Sequence, residues 1–393
     1  MSLNSSLFSQ QCVTPHCWDA CCYGGGRVFL LPQASTCDQP NRLTVVIAAR
    51  NEADNIGPCL QSLLGQSGIA QIIVVNDHST DATAEVVASF RARDGRVVHF
   101  FAPELPAGWL GKSHALHFGA KQVSTSYVLF TDADVIFGPG IIAEALRKMS
   151  AARLDHLGGH FFVDCRSVAE EICAPVLVLS SGLALFGTAN SLGAATGAFN
   201  LVRNVVYQAF GGHDPIKGDI VDDVALARHL KTCGARSEFV AMGDNLKVRL
   251  FVGFGGFVNS VMRSAVPFLR LGSITVCLLT TFCMVLALLP VVSLLAAIIV
   301  GICAPGGTPA LITCLLGPLS YCFGFVAVRF GRRFHNGRLL FQLCFPVAAV
   351  ALGASVFYAA LAHVRRRPLT WRGRVYAADQ TFARPIQPPK LLD

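Results

Sequence analysis

LTVVIAARNEADNIGPCLQSLLGQSGIAQIIVVND, residues 43–77, is the stretch that decides the fold. Its first eight residues are a Val- and Ile-rich run, short as strands are and apolar enough to be buried on both faces, and the run stops at polar Asn51 and Glu52. Ile56, Leu60, Leu63 and Leu64 then recur at helical spacing, and residues 71–77 return to the strand pattern and stop at Asp77. Strand, helix and strand in so short a span form a βαβ unit, whose two strands lie parallel.

The alternation continues outward. Asp81 to Phe90 reads as a second helix, RVVHFF (96–101) as a third strand, Ser113 to Val123 as a helix and SYVLFTDAD (126–134) as a fourth strand. The pattern predicts an α/β domain over residues 42–265, a doubly wound, mostly parallel sheet with helices on both faces. Ligands of such sheets sit beyond the carboxyl ends of the strands, beside the switch in strand order. Every one of these strands except the third stops at acids or amides. Asn51, Glu52, Asp77, Asp132 and Asp134 therefore share one edge of the sheet and mark the candidate site.

The rest of the chain differs in composition. Of 393 residues, 53% are hydrophobic and 14% charged, against about 25% charged in an average soluble domain. The net charge of +8 is unevenly placed, with 17 basic and 22 acidic residues in the first 244. From Asn245 to Ala378 there is no Asp or Glu and there are 13 Lys or Arg. Basic charge confined to an apolar C-terminal part suits a membrane tail meeting anionic headgroups. It argues against nucleic acid, whose readers carry basic residues on the polar domain, interleaved with aromatics.

Leu271 to Cys303, Pro309 to Val328 and Leu339 to Ala362 carry no charge. Since ~20 apolar residues cross a bilayer core, residues 266–364 are expected to form a bundle of transmembrane helices, with three or four crossings depending on Pro290. Arg329, Arg332, Arg333 and Arg338 on one side, and Arg365, Arg366 and Arg367 on the other, bracket a single crossing and leave its direction open. Residues 365–393 form a basic tail, and the Cys- and Gly-rich residues 1–41 a loosely ordered arm without the pattern of a signal peptide. None of the 15 Cys makes a C-x-x-C pair, so free thiols are expected rather than a zinc site.

Asp132-Ala133-Asp134 is the central chemical signal. Two acids at i and i+2 after a buried strand can share a divalent ion, and hard oxygen ligands suit Mg²⁺ or Mn²⁺ on a nucleotide diphosphate. Asp77, closing its strand, is placed to accept hydrogen bonds from a ribose or base. Asp81, at the mouth of the next helix, is expected to cap it.

Three motifs, ARNEADNI (49–56), VVNDHSTDAT (74–83) and TDAD (131–134), together resemble glycosyltransferase family 2, whose catalytic domain is the GT-A nucleotide-sugar-binding sheet. GWLGKSHAL (108–116) and GGHDPIKGDIVDDVALARHLKTCG (211–234) narrow the resemblance to membrane-bound members that glycosylate lipids, of the hopene-associated, carotenoid and ceramide type. The likeness covers residues 43–265 and extends loosely to TWRGRVY (370–376). It implies that Glu52 and Asp77 contact the donor nucleoside, that Asp132 and Asp134 hold metal and diphosphate, and that Lys112 lies near the donor phosphates. The family's Glu-Asp pair stands here as Asp222 and Asp223, with Asp223 at the position of the catalytic base.

A base also has its own rationale, because inverting transfer needs a carboxylate to take the proton of the attacking hydroxyl. The competing role for both acids is to cap the helix Val224 to Leu230. His213 could face the acceptor or fill a turn, Trp109 is read as a lid aromatic hinged at Gly108 and Gly111, and Arg249 as an acceptor-side group or membrane anchor. The processive members' Gln-x-x-Arg-Trp motif is replaced by KVRLFVGFGGFVNSVMRS (247–264), which favours a single transfer.

The expectation is thus a multi-pass membrane enzyme with a cytosolic catalytic domain, moving one sugar from a nucleotide-sugar, a UDP-sugar by expectation, to a lipid. Two rivals are a transferase acting on a polyprenyl phosphate, whose ionised acceptor needs no base, and a catalytically silent nucleotide-sugar-binding membrane scaffold. A transporter is disfavoured because the apolar runs carry no mid-membrane charge.

Overall fold

The structure is a computed structural model that describes residues 43–178, 192–269, 288–289, 291–303, 308–365, 369–371 and 374–376. The arm 1–41, residues 271–287 of the first apolar run and the end of the tail lie outside the described residues. Four parallel strands, β1 (Leu43–Ala49), β2 (Ile69–Asn76), β3 (Val97–Phe101) and β4 (Tyr127–Thr131), build half of the main sheet. They are joined by α1 (Ala53–Leu64), α2 (Thr83–Arg93) and α3 (Gly111–Ala120). A short β5 (Val135–Phe137) and α4 (Ile141–Ala151) follow, then β6 (His156–His160), β7 (Phe162–Val163), β8 (Asn200–Arg203), α5 (Asn204–Ala209), α6 (Asp222–Thr232), β9 (Ser237–Ala241) and β10 (Leu246–Val248).

The main sheet has the order β3-β2-β1-β4-β8-β6-β9. β8 runs antiparallel to both its neighbours and the other six strands share one direction, so the sheet is mostly parallel as expected. β5, β10 and β7 form a second, small sheet.

Period-two alternation explains how one strand serves two layers. In β1, Leu43, Val45 and Ile47 face one core with α1, α2 and α4, while Val46 faces the other with α3, α5 and α6. Ile56, Cys59, Leu60 and Leu63 of α1 are buried at i, i+3, i+4 and i+7, so Cys59 joins three residues of the expected stripe while the fourth, Leu64, is only partly buried. Two boundaries differ from expectation. The fourth strand ends at Thr131 instead of 134, because Asp132 N–H donates to the Gly197 carbonyl at 2.9 Å and the chain leaves the ladder there. The helix over Asp81–Phe90 starts at Thr83, since Asp81 and Ala82 turn into it.

The expected domain boundary at 265 falls inside α7 (Gly253–Leu269). Beyond it lie the helix Val291–Cys303, α8 (Thr308–Phe330) and α9 (Phe345–Val364), then a hairpin of β11 (Leu369–Trp371) and β12 (Arg374–Tyr376). Among the described residues two stretches, Cys314–Phe334 and Phe345–Ala362, are long and apolar enough to cross a membrane. The helix Val291–Cys303 pairs antiparallel with α8. Ser293 and Ser320 hydroxyls meet at 2.6 Å, and a Cβ on Gly317 would stand 2.4 Å from the Ser293 carbonyl oxygen, a small-residue crossing of the kind that lets helix backbones approach. A third core, with Val163, Cys173, Leu177, Phe257, Val328 and Phe345, joins the α/β domain to α7, α8 and α9.

Burial predicts the tolerance of these positions. Leu60→Ala, at a fully buried site, should cost about 2–5 kcal/mol in denaturant unfolding. Val205→Ala, 68% exposed on α5, should change stability by no more than about 0.5 kcal/mol.

Candidate functional site

β1 lies between β2 and β4, and the strand order reverses between β1 and β4. Ala49 pairs with Asn76 and Ile47 with Thr131, so Asp77 and Asp132 flank the end of β1, where Glu52 follows. This is the crevice in which open α/β sheets bind ligands. Its loops are cross-stitched. Arg50 donates to the Asp77 carbonyl at 2.6 Å, Asn51 N–H to Ser79 Oγ at 3.1 Å, and Thr80 N–H to Asn51 Oδ1 at 2.8 Å. Asn51 sits at φ +53°, a left-handed conformation that Asn tolerates better than most residues.

Glu52 accepts from the Asn55 side chain at 2.7 Å, and its own N–H donates to Thr83 Oγ1. Asp81 accepts from Thr83 N–H and from Ala53 N–H, both at 3.1 Å, and so ties the starts of α1 and α2 together, although the N-cap position of α2 is Ala82 and not Asp81 as expected. Desolvation is the largest single influence on the Asp81 carboxyl and would raise it, but the hydrogen bonds from the Thr83 hydroxyl and from the Ala53 and Thr83 N–H groups together outweigh it and lower the pKa.

Beside the crevice, Lys112 on α3 meets Asp132 at 2.7 Å and Asp222 at 3.2 Å, with Asp223 next to them. Burial alone would discharge the ammonium, but Asp132, Asp222 and Asp223 overcome it and raise the Lys112 pKa. Burial raises the Asp222 carboxyl, with Asp223 and Asp132 adding to it against the pull of Lys112. Asp223 is raised by burial first and then by Asp132, against Lys112 and the hydrogen bonds from the Val224 and Gly197 backbone. Raised carboxyls are apt for taking a proton near neutral pH. The pocket they line is closed by Leu116, Phe130, Thr131, Gly197, Asn200 and His213.

Asp222 and Asp223 occupy the first turn of α6, which begins two residues before the expected Val224. Asp223 Oδ1 accepts from Val224 N–H at 2.8 Å, so it serves the helix terminus while facing the pocket. Burial alternates through residues 131–135, which puts Asp132 and Asp134 on one side of the turn after β4. Cys59 of α1 lies beneath, its thiol directed at the Asp132 carbonyl at 3.8 Å. Burial, then Asp134, pushes that thiol far up.

The other candidates separate. His213 lines the pocket but is buried against Phe130 and bonded through Nδ1 to the Tyr207 hydroxyl at 2.7 Å. Burial lowers its pKa to about 3, so the ring is neutral. The lid reading of Trp109 is corrected in one respect. Gly111 is the buried first residue of α3 and no hinge, and Trp109 rests on the rings of His114 and His117 with Lys217 over its face. Arg249 does not line this pocket; it pairs with buried Glu170 at 2.9 Å in the seam to the C-terminal helices.

Three positions escaped the sequence reading. A Cβ on Gly197 would fall 2.2 Å from Asp132 Oδ2 and 3.2 Å from Lys112 Nζ, so the ion pair requires a glycine there. Asn200 of β8 donates to the Asp223 carbonyl at 3.2 Å and bonds His156 Nε2 through Oδ1 at 2.9 Å. No motif announces them, because their role arises only when β8 inserts beside β4.

No group of three His, Cys, Asp or Glu is gathered to hold a metal among the described residues. The arrangement still fits a Mg²⁺ or Mn²⁺ whose remaining ligands are phosphate oxygens and water, since such ions are commonly held by one or two carboxylates with substrate. Three carboxylates around one ammonium, with Asp134 alongside, leave the negative charge that such an ion would balance.

Residues 44–172 match the family model of Glycosyl transferase family 2. The chain is 30% identical over 196 residues to the 4,4'-diaponeurosporenoate glycosyltransferase of Staphylococcus aureus, an alignment covering 47% of this chain and 50% of that protein. The chain thus spans about half the length of the curated relatives it matches. Among solved structures, a mannosyltransferase from Pyrobaculum calidifontis in complex with GDP-Man and Mn²⁺ aligns with a TM-score of 0.49 and 16% identity, over 84% of this chain and 88% of that one.

Gly197→Ala should lower stability by about 1–3 kcal/mol, because the new methyl overlaps the Asp132 carboxylate. Gly95→Ala, where a Cβ meets nothing within 4 Å, is the control. Thermal unfolding of the two variants should separate them clearly.

Proposed function

We propose that this chain, which carries a glycosyl transferase family 2 domain, moves one sugar from a nucleotide-sugar, a UDP-sugar, to a lipid hydroxyl or carboxyl at the membrane surface, with inversion. The observation that carries this reading is the Asp132–Lys112–Asp222 cluster with Asp223 beside it, at the strand-order switch of the sheet. The matched S. aureus protein, named for a carotenoid-type acceptor, supports a lipid of that kind over a soluble sugar. The two apolar stretches long enough to cross a bilayer support a membrane anchor.

In this reading the sheet is a GT-A domain. Glu52 and Asp77 take the nucleoside at the ends of β1 and β2, and Asp132 and Lys112 take the diphosphate. Lys112 is a compact ammonium already held at the site by two carboxylates, so it can swing to phosphate oxygens with little loss of ordering. Asp132 and Asp134 would hold Mg²⁺ or Mn²⁺, which when bound neutralises charge growing on the leaving diphosphate. Asp223 accepts the proton of the acceptor hydroxyl. The oxygen freed of it bonds to the anomeric carbon while the bond to the diphosphate oxygen breaks on the opposite face. Asp222, bonded to Lys112, steadies the ammonium, while burial and the Asp132 charge keep Asp223 raised. Asn200 and His156 hold the start of α6 so that the base keeps its place.

Two experiments test this. Donor binding, followed by titration calorimetry with a nucleotide-sugar panel, should require Mg²⁺ or Mn²⁺ and disappear in EDTA; undiminished binding in EDTA removes the metal assignment. Asp223→Asn keeps the size of the side chain and, as a helix-terminal acceptor, most of its bonding. It should bind donor nearly as the parent does and lose turnover by about 10²–10⁴. Transfer at the parental rate would pass the base role to another carboxylate.

A further inference from the structure

Two consecutive carboxylates gather three distant segments of the chain into one seam. Glu170 accepts from Arg249 Nη2 at 2.9 Å, Gly253 N–H at 3.2 Å and Arg166 N–H at 2.7 Å. Glu171 accepts from Arg338 N–H at 2.7 Å and from its Nε. The connection between α8 and α9 is bound here over several residues. The Phe334 ring lies 4.8 Å from His160, His335 bridges Val163, Asn336 donates to Asp164 at 2.9 Å, and Cys165 N–H donates to Asn336 Oδ1 at 2.7 Å. So α8 arrives at, and α9 departs from, the surface of the catalytic domain itself.

The residues flanking these contacts are apolar and exposed. Val168 opens the helix that carries Glu170 and Glu171, Val252 and Phe254 lie on either side of Gly253 in sequence, and Leu339 and Leu340 directly after Arg338, with exposures from 48% to 69%. Arg332 and Arg333 are exposed in the same connection, and the acids nearest to it, Asp164, Glu170 and Glu171, are engaged by Arg166, Arg249 and Arg338. Apolar side chains with a basic rim, at the point where two bilayer-length helices meet a polar domain, have the chemistry of the headgroup boundary.

We propose that this face is a seat for a bilayer surface rich in anionic phospholipid, with Val168, Val252, Phe254, Leu339 and Leu340 entering the acyl boundary and Arg332 and Arg333 among the phosphates. It rests on the reading of the C-terminal helices as membrane-spanning and adds that the catalytic domain touches lipid with its own residues. The connection between α8 and α9 then lies on the catalytic side of the membrane, which gives the crossing bracketed by the two arginine groups its direction.

The test uses the full chain in nanodiscs of phosphatidylcholine, with or without phosphatidylglycerol. Leu340→Trp and Phe254→Trp report burial in lipid through quenching by acyl chains brominated near the headgroup. Phe101→Trp, exposed on the sheet edge at β3, reports water through acrylamide. The first two should be quenched severalfold more by brominated lipid than the third, and more in anionic discs. Arg332→Gln with Arg333→Gln should weaken the docking equilibrium by roughly 5-fold per charge removed, at about 1 kcal/mol each. Acrylamide access to Leu340→Trp and Phe254→Trp equal to that of Phe101→Trp overturns the proposal. So does shielding from both quenchers, which would mean a protein partner, or quenching indifferent to lipid charge. Sugar transfer in the same discs is scored separately, so lost transfer with quenching intact counts against the transferase reading alone.

Discussion

The Lys112 ammonium, held between the Asp132 and Asp222 carboxylates, is the interaction on which the site depends. It joins the end of β4, the start of α3 and the first turn of α6, three elements that share no local sequence. Asp222 is buried while Lys112 and Asp132 are partly so, and removing the ammonium would leave the buried Asp222 carboxylate without its cation. The mutual arrangement of the acids is therefore fixed before any ligand arrives, and the surrounding residues are selected to leave it room. Gly197 supplies that room at the one point where a methyl would collide with the carboxylate.

The antiparallel strand β8 is what makes the cluster possible. By entering between β4 and β6 it brings Gly197 and Asn200 against the end of β4 and sets α6 over the pocket. His156, held neutral by burial with its pKa lowered to about 4, bonds Asn200 and fixes which way the amide faces. The amide then reaches the backbone of Asp223. A strand that contributes little hydrophobic pattern thus decides where the acids of the next helix stand.

That division explains what could be read from the chain. β1 to β4 and their helices were legible because local periodicity and strand-end acids coincide there: Val45 and Ile47 alternate with Val46, and Asp77 and Asp132 close their strands. The approach of Lys112, Asp222 and Asp223 to one another followed from no period and came into view through family resemblance alone. Gly197, Asn200 and His156 were not legible, since β8 is four residues long and its neighbours lie about 40 to 70 residues away in sequence. Trp109 is read from sequence as a lid because Gly108 and Gly111 flank it, and Arg249 as an acceptor-side group or membrane anchor in the segment that replaces the processive motif. Their partners, the His114 and His117 rings and Glu170, could be identified only in three dimensions.

Cys59, packed beneath the turn that carries Asp132 and Asp134, bears on redox chemistry. Its thiol is fully buried and its ionisation is opposed by desolvation and by the Asp134 charge. Oxidants and alkylating agents attack the thiolate, so a sulfur kept protonated under a floor of carboxylates is chemically silent. In a chain with 15 cysteines, burial first and the Asp134 charge second keep this sulfur from the reactions to which exposed thiols are open.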